Sequence, residues 1–371
     1  MSAQEPTART VLIAAGGTGG HLFPAAAFAE EMRARGWRIV LMTDARGRRY
    51  AQNFPADAIE DVLAATFQGR NPIALAHAAV KIVAGVLAAL ARFARLKPAL
   101  VIGFGGYPSV PALWAARARK TPIVIYQADT VLGRVNRYFA PAAAAVACAY
   151  DRLDKLDPRA ADRKVVVGLP IRPAVRAVRD VAYAPIEPGG RIGLLVTGGS
   201  QGARLFGEVI PRALAMLPEA LRARLQAAIQ VREEQIVAVR AVCAKAGVRA
   251  DVAAFFTDMP ERLAAAHLVI GRAGGTVAEL ACAGRPAILV PLAIAADDHQ
   301  TSNAQVLAQA GGADVIAEGD FTPEALCALL AERFADPAAL AARAAAARAL
   351  GRPDAAQALA DAAERVAALR A

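Results

Sequence analysis

Short runs of aliphatic and β-branched residues alternate along the chain with longer Ala-rich stretches whose apolar positions recur at helical spacing. In the first half such runs predict strands at 10–15, 38–43, 99–103, 122–126, 143–148 and 164–168. A second series follows at 191–197, 225–231, 251–255, 268–271 and 286–291. Uninterrupted apolar strands belong to parallel sheets covered on both faces, and the intervening helices supply the cover. Residues 168–190, with Pro170, Pro173, Pro185 and Pro188, predict a linker between the series. The chain therefore reads as α/β: two Rossmann-like domains, 1–170 and 171–350, facing across a cleft that is the expected site. Residues 351–371, beyond the break at Pro353, predict a C-terminal helix that packs back on the first domain.

Composition changes this picture little. The 371 residues are 56% apolar but only 5% aromatic, and the excess is mostly Ala, which argues neither for a membrane protein nor for disorder. Cys148, Cys243, Cys282 and Cys327 lie far apart, so neither a zinc ribbon nor a disulfide framework is expected. No apolar signal segment precedes the first strand, and the expectation is a cytoplasmic chain.

Charge changes it more. Residues 1–170 carry 22 Lys and Arg against 12 Asp and Glu, whereas 171–371 carry 21 of each. Between 62 and 150 the single acid is Asp129. The N-terminal half thus faces an anion: a phosphate ligand, a membrane surface or nucleic acid. Nucleic acid is disfavoured, because aromatic and basic residues are not interleaved. Residues 72–91 are long enough to span a bilayer, but Lys81 near the middle would cost about 3 kcal/mol. A helix lying in the interface, with Ile73, Ile82, Val83, Val86 and Phe93 towards acyl chains, fits better; a buried helix of the α/β domain is the alternative.

The chemistry concentrates in glycine-rich loops that each follow a strand and open a helix. The first reads Gly16-Gly17-Thr18-Gly19-Gly20-His21, with a helix expected from Pro24 to Gly36. Glycines let backbone approach a ligand closely, and free N–H groups at a helix start suit an anion. A histidine there should remain neutral and could take a proton from an attacking hydroxyl; alternatively it only bonds neighbouring backbone. Gly103-Phe104-Gly105-Gly106-Tyr107-Pro108-Ser109 is a second such loop, and Gly198-Gly199-Ser200-Gln201-Gly202-Ala203-Arg204 a third. Two phosphorylated ligands, with transfer between them, are the implied arrangement. In 271–279 Glu279 falls in a first helical turn, where it could accept ribose hydroxyls or merely offset the helix dipole. Residues 297–303 offer amides and acids suited to sugar hydroxyls. No Asp-x-Asp pair precedes these loops, so neither a metal nor another cofactor is expected.

Taken in order, GGTGGHxxP at 16–24, GFGGYPS at 103–109, GGSQGAR at 198–204, RAGG-TVAEL at 272–280 and DHQTxNA at 298–304 resemble the MurG family. These are UDP-N-acetylglucosamine-dependent transferases acting on undecaprenyl-diphospho-muramoylpentapeptide (lipid I) in peptidoglycan synthesis. The resemblance implies a glycosyltransferase-B fold, with the nucleotide sugar in the C-terminal domain and the lipid acceptor on the N-terminal one. It implies peripheral attachment to the cytoplasmic face of the inner membrane and an anionic membrane surface as partner. Thr18, Gly19 and Gly20 would line the cleft, with His21 beside the acceptor. Tyr107, Asn136 and Gln201 join the binding set, and Arg172 and Ser200 would meet the donor diphosphate. Phe256 would pack on the base, Thr276, Val277 and Glu279 would hold uridine, and Gln300 the sugar hydroxyls. Where the family has HEQN this chain reads Tyr126-Gln127-Ala128-Asp129. Asp129 thereby becomes a second candidate for proton transfer. A transferase with another acceptor, or a binding protein that keeps the fold, are the alternatives this change leaves open.

Overall fold

The computed structural model describes residues 9–17, 19–64, 72–199 and 202–369. They form two compact units, Met1–Arg172 with Asp354–Ala371, and Pro173–Pro353.

In the first unit β1 (Thr10–Ala14), β2 (Arg38–Thr43), β3 (Ala58–Asp61), β4 (Leu100–Gly103), β5 (Ile123–Gln127), β6 (Ala145–Cys148) and β7 (Lys164–Val166) make one sheet. Its order is β3-β2-β1-β4-β5-β6-β7, with every pairing parallel. Side chains alternate between faces. Val11 and Ile13 pack on α1 (Gly19–Ala34) and the C-terminal helix Ala355–Ala368, whereas Leu12 and Ala14 share the opposite core. A short helix, α2 (Ala45–Tyr50), follows β2. That opposite core is completed by α3 (Pro72–Leu96) and the helix Val110–Ala118. The C-terminal helix is fastened to α1 by Arg35, which reaches Asp361 at 2.6 Å and Glu364 at 2.8 Å, and by Trp37 Nε1 donating to Glu364 at 2.9 Å.

The second unit repeats the design with β8 (Ile192–Thr197), β9 (Leu225–Gln230), β10 (Arg249–Ala253), β11 (Leu268–Gly271), β12 (Ala287–Leu289) and β13 (Ala313–Val315). The order is β10-β9-β8-β11-β12-β13, again parallel. Each sheet therefore has a switch point, between β1 and β4 and between β8 and β11, where successive connections leave in opposite directions. Ligands of open parallel sheets bind at the carboxyl ends of such strands.

Several expectations need correction. Strands β3 and β13 were not foreseen, because AIED and ADV at sheet edges carry no apolar run. The helix expected from Pro24 begins at Gly19, so the glycine run itself supplies the first turn and His21 stands inside it. Residues 173–190 are no free linker: Tyr183 Oη donates to His267 O at 3.1 Å, and Arg179 Nη1 to Cys282 O at 3.3 Å. On α3, Phe93 belongs to the core, Ile82 and Val86 are half-buried, and the side chain of Ile73 lies outside those described. The exposed stripe is instead Val80, Val83 and Leu87. Arg92 and Arg95 both pair with Glu60, an acid that sits just before the basic stretch in sequence. Among the described residues no helix is long and apolar enough to cross a membrane.

Arg285 is fully buried and spends its guanidinium on backbone carbonyls: Leu263 at 3.0 Å, Ala283 and Ala264 at 2.8 Å, and Val181 at 3.3 Å. It thus ties residue 181, ahead of β8, to two helix ends. Arg285→Ala orphans those carbonyls and should lower unfolding free energy by about 3 kcal/mol. Urea denaturation checks this, and an unchanged midpoint would contradict it.

Candidate functional site

Both glycine-rich loops of the first unit leave the switch-point strands, one after β1 and one after β4. Gly17, Gly105 and Gly106 hold φ of +82°, +95° and +76°, a region that side chains rarely enter. A Cβ on Gly105 would lie 3.3 Å from His21 Cε1 and 3.4 Å from Asn136 Nδ2; one on Gly106 would lie 3.3 Å from His21 Cδ2. The half-buried imidazole therefore rests on bare backbone, and a side chain at either glycine would crowd the ring and strain the positive φ. Ser109 Oγ lies 2.9 Å from Ala14 O and 2.8 Å from Gly105 O, joining the two strand ends. Gly19 is buried, Gly20 exposed, and Thr18 lies outside the described residues.

The altered 126–129 segment forms a polar cluster beside this point. Gln127 is buried, and its Oε1 accepts from Gly133 N at 3.1 Å and Asn136 Nδ2 at 2.9 Å. Asn136 Nδ2 also donates to Tyr126 O at 2.9 Å, while its buried Oδ1 has no hydrogen-bond partner among the described residues. Gln127 Nε2 points back to Asp129 Oδ2 at 3.4 Å. The neutral amide thus takes the buried position and the carboxylate the half-exposed one, the arrangement desolvation favours. The fully buried Tyr126 and the half-buried Tyr150 both have phenol pKa values pushed up by burial, and the charge of Asp129 adds to this. Arg172 is exposed in the same unit, its guanidinium 5.2 Å above the Phe23 ring.

In the second unit the loops after β8 and β11 occupy the equivalent places. Gly199 and Gly202 have φ of +75° and +66°, and the intervening Ser200 and Gln201 lie outside the described residues. Gln230, buried at the end of β9, donates through Nε2 to Gly199 O at 3.2 Å and Ala254 O at 3.1 Å, and accepts from Thr197 Oγ1 at 2.9 Å. After β11, Gly274 and Gly275 lead into the helix Thr276–Ala283, with Thr276 and Glu279 half-buried in its first turn. Gln300 Oε1 accepts from Leu292 N at 3.0 Å and Ala273 N at 3.3 Å, so its amide nitrogen is the group left for a ligand. Asn303 Nδ2 holds Ala273 O at 3.1 Å. Arg272 is bound to Glu318 at 2.6 Å and to Val290 O, and serves the loop's structure.

Two residues of the expected uridine pocket have buried side chains. Val277 is fully buried, so only its backbone can meet a ligand. Phe256 is 5% exposed beneath Arg262, 3.9 Å from the ring centroid, whereas its neighbour Phe255 is 69% exposed. The aromatic surface offered here is therefore Phe255. Period-two alternation out of β10 was the signal for one ring in and one out. A cavity of about 530 Å³ lies elsewhere, lined by the early residues Gly193 and Leu195 of β8 with Arg249, Asp251 and Arg262, on the sheet face rather than at the loops. The loop geometry, with its bare backbone and half-buried polar groups, is the better site.

Residues 11–148 match the glycosyltransferase family 28 N-terminal domain and 193–366 its C-terminal domain. A Maricaulis maris protein named UDP-N-acetylglucosamine--N-acetylmuramyl-(pentapeptide) pyrophosphoryl-undecaprenol N-acetylglucosamine transferase is 50% identical over 355 residues, 95% of this chain and 96% of that one. A Phenylobacterium zucineum protein of the same name is 50% identical over 360 residues, covering 97% and 99%. The crystal structure of Acinetobacter baumannii MurG superposes with a TM-score of 0.78 at 30% identity, covering 96% of this chain and 99% of that one.

The two adjacent rings give a paired stability test. Phe256→Ala empties a packed position and should cost about 3 kcal/mol, whereas Phe255→Ala should stay within about 0.5 kcal/mol. Equal losses in chemical denaturation would reverse the assignment of which ring faces solvent.

Proposed function

The chain belongs to glycosyltransferase family 28, within it to the MurG family, and from that premise we propose that it transfers N-acetylglucosamine from UDP-N-acetylglucosamine to lipid I, giving lipid II for peptidoglycan. The observation that carries the chemistry is the pairing of bare-backbone loops at both switch points, one pair cradling His21. Such loops and helix starts bind phosphate through N–H groups. The second unit takes the nucleotide sugar: Glu279 accepts the ribose hydroxyls, Phe255 covers the base, and Gln300 Nε2 donates to a sugar hydroxyl. The first unit takes the lipid acceptor's diphosphate and muramoyl sugar.

The muramoyl C4 hydroxyl attacks the anomeric carbon as the carbon–oxygen bond to UDP breaks, so configuration inverts. The hydroxyl proton passes to His21, and UDP leaves with the bonding electrons. Backbone N–H groups at the start of Thr276–Ala283 stabilise the charge growing on the leaving diphosphate. As general base His21 is worth about 10²–10⁴ in rate. His21→Ala should therefore depress kcat by that factor while UDP affinity, measured by calorimetry, stays unchanged. If His21→Ala retains turnover and Asp129→Asn loses it, the base is Asp129.

The Val80, Val83 and Leu87 stripe beside Lys81 supports attachment to the cytoplasmic face of the inner membrane. Binding to vesicles containing anionic phospholipid should weaken as salt rises, since Lys81 and its neighbours are screened. It should also weaken in Leu87→Asp. Flotation indifferent to both changes would remove α3 from the membrane contact.

A further inference from the structure

Asp44, at the end of β2, belongs to none of the glycine-rich motifs, yet three chain segments meet on its buried carboxylate. Oδ1 accepts from Gly17 N at 3.1 Å and from Gly47 N at 2.9 Å, the second bond capping α2. Oδ2 accepts from Tyr107 Oη at 2.6 Å. Gly17 belongs to the loop after β1, Tyr107 to the loop after β4. The packing leaves no slack around these bonds. A Cβ on Gly16 would lie 2.8 Å from Asp44 Oδ1 and 2.9 Å from Pro108, and one on Gly47 would lie 3.0 Å from Gly16 Cα. Arg46 caps the assembly, 5.8 Å above the Tyr107 ring.

Glycine loops lose more conformational entropy on ordering than any other backbone, so a loop left free would spend ligand-binding energy on its own ordering. A carboxylate that accepts from both loops fixes them beforehand, through bonds to an ionised group that are stronger than neutral ones. We infer that Asp44 is a positioning residue for the acceptor half of the reaction: it locks the Gly17 and Tyr107 segments together, so that the backbone of both loops and the imidazole on Gly105–Gly106 meet the acceptor's phosphorylated sugar already in place. This rests on the reading of the first unit as the acceptor site. Tyr107 then acts through its hydroxyl as the link between loops.

Asp44→Ala should lower kcat/KM for a lipid I analogue by about 10–100-fold, the scale of a small misplacement of reacting groups. KM for UDP-N-acetylglucosamine and calorimetric UDP affinity should not move, because those groups lie in the other unit. Asp44→Asn keeps an oxygen for both glycine N–H groups, and its amide can donate to Tyr107 Oη, so it should restore most of the loss. Tyr107→Phe, which removes one bond and little else, should fall between. Hydrogen exchange of the peptides carrying Gly17 and Tyr107 should quicken together in Asp44→Ala. Unchanged exchange overturns the inference. So does an equal decline for both substrates that Asp44→Asn does not rescue, since that describes general unfolding. If wild type turns over no lipid acceptor, the acceptor reading fails, and the exchange measurement still decides whether Asp44 joins the loops.

Discussion

Everything at the candidate site depends on one steric constraint: the backbone at the carboxyl ends of the switch-point strands must stay bare. In the first unit the His21 ring lies 3.3–3.5 Å from where Cβ atoms on Gly105 and Gly106 would stand, so a side chain at either would displace it. In the second, a Cβ on Gly198 would meet Ala203 N at 2.3 Å. Bare backbone exposes N–H groups to an anion, but it also frees the chain to wander, and the remaining structure counters that freedom.

The two units restrain their loops with different chemistry. The first uses a carboxylate, Asp44, in a region rich in cations. The second uses the amides of Gln230, Gln300 and Asn303, each bonded to loop backbone, alongside an Arg272–Glu318 pair whose charges cancel. An amide brings no charge that would repel a diphosphate, which suits a unit whose Lys and Arg only balance its acids. At 126–129 the same economy appears within three residues, with the amide of Gln127 buried among N–H donors and the acid of Asp129 half-exposed.

What the sequence disclosed and what it hid follow from range. Central strands such as β1, β4, β8 and β11 are apolar but for a terminal threonine in β1 and β8, because both faces are covered, and they were legible as runs. The edge strands β3 and β13 have no such pattern. The glycine loops were legible because φ above zero leaves a chemical trace in residue type. Asp44 was not, since its partner Tyr107 is 63 positions away and an isolated acid before ARGRRY reads as an ordinary helix cap. Phe255 and Phe256 were both visible, but which ring faces solvent is set by where β10 stops pairing, at Ala253. Val277 entered the expected uridine set through the resemblance of its motif, which carries no information on side-chain direction; the helix turns that side chain into the core and leaves its backbone for a ligand.

Glycosyl transfer itself is the central claim, and acceptor-dependent release of UDP tests it most directly. Purified chain would be incubated with UDP-N-acetylglucosamine, with and without a lipid I analogue, and both products quantified. The account predicts one UDP released per disaccharide formed, only when acceptor is present, and a β linkage in the product because the α-linked donor inverts. UDP bound in calorimetry without acceptor-dependent release, or an α-linked product, would contradict it.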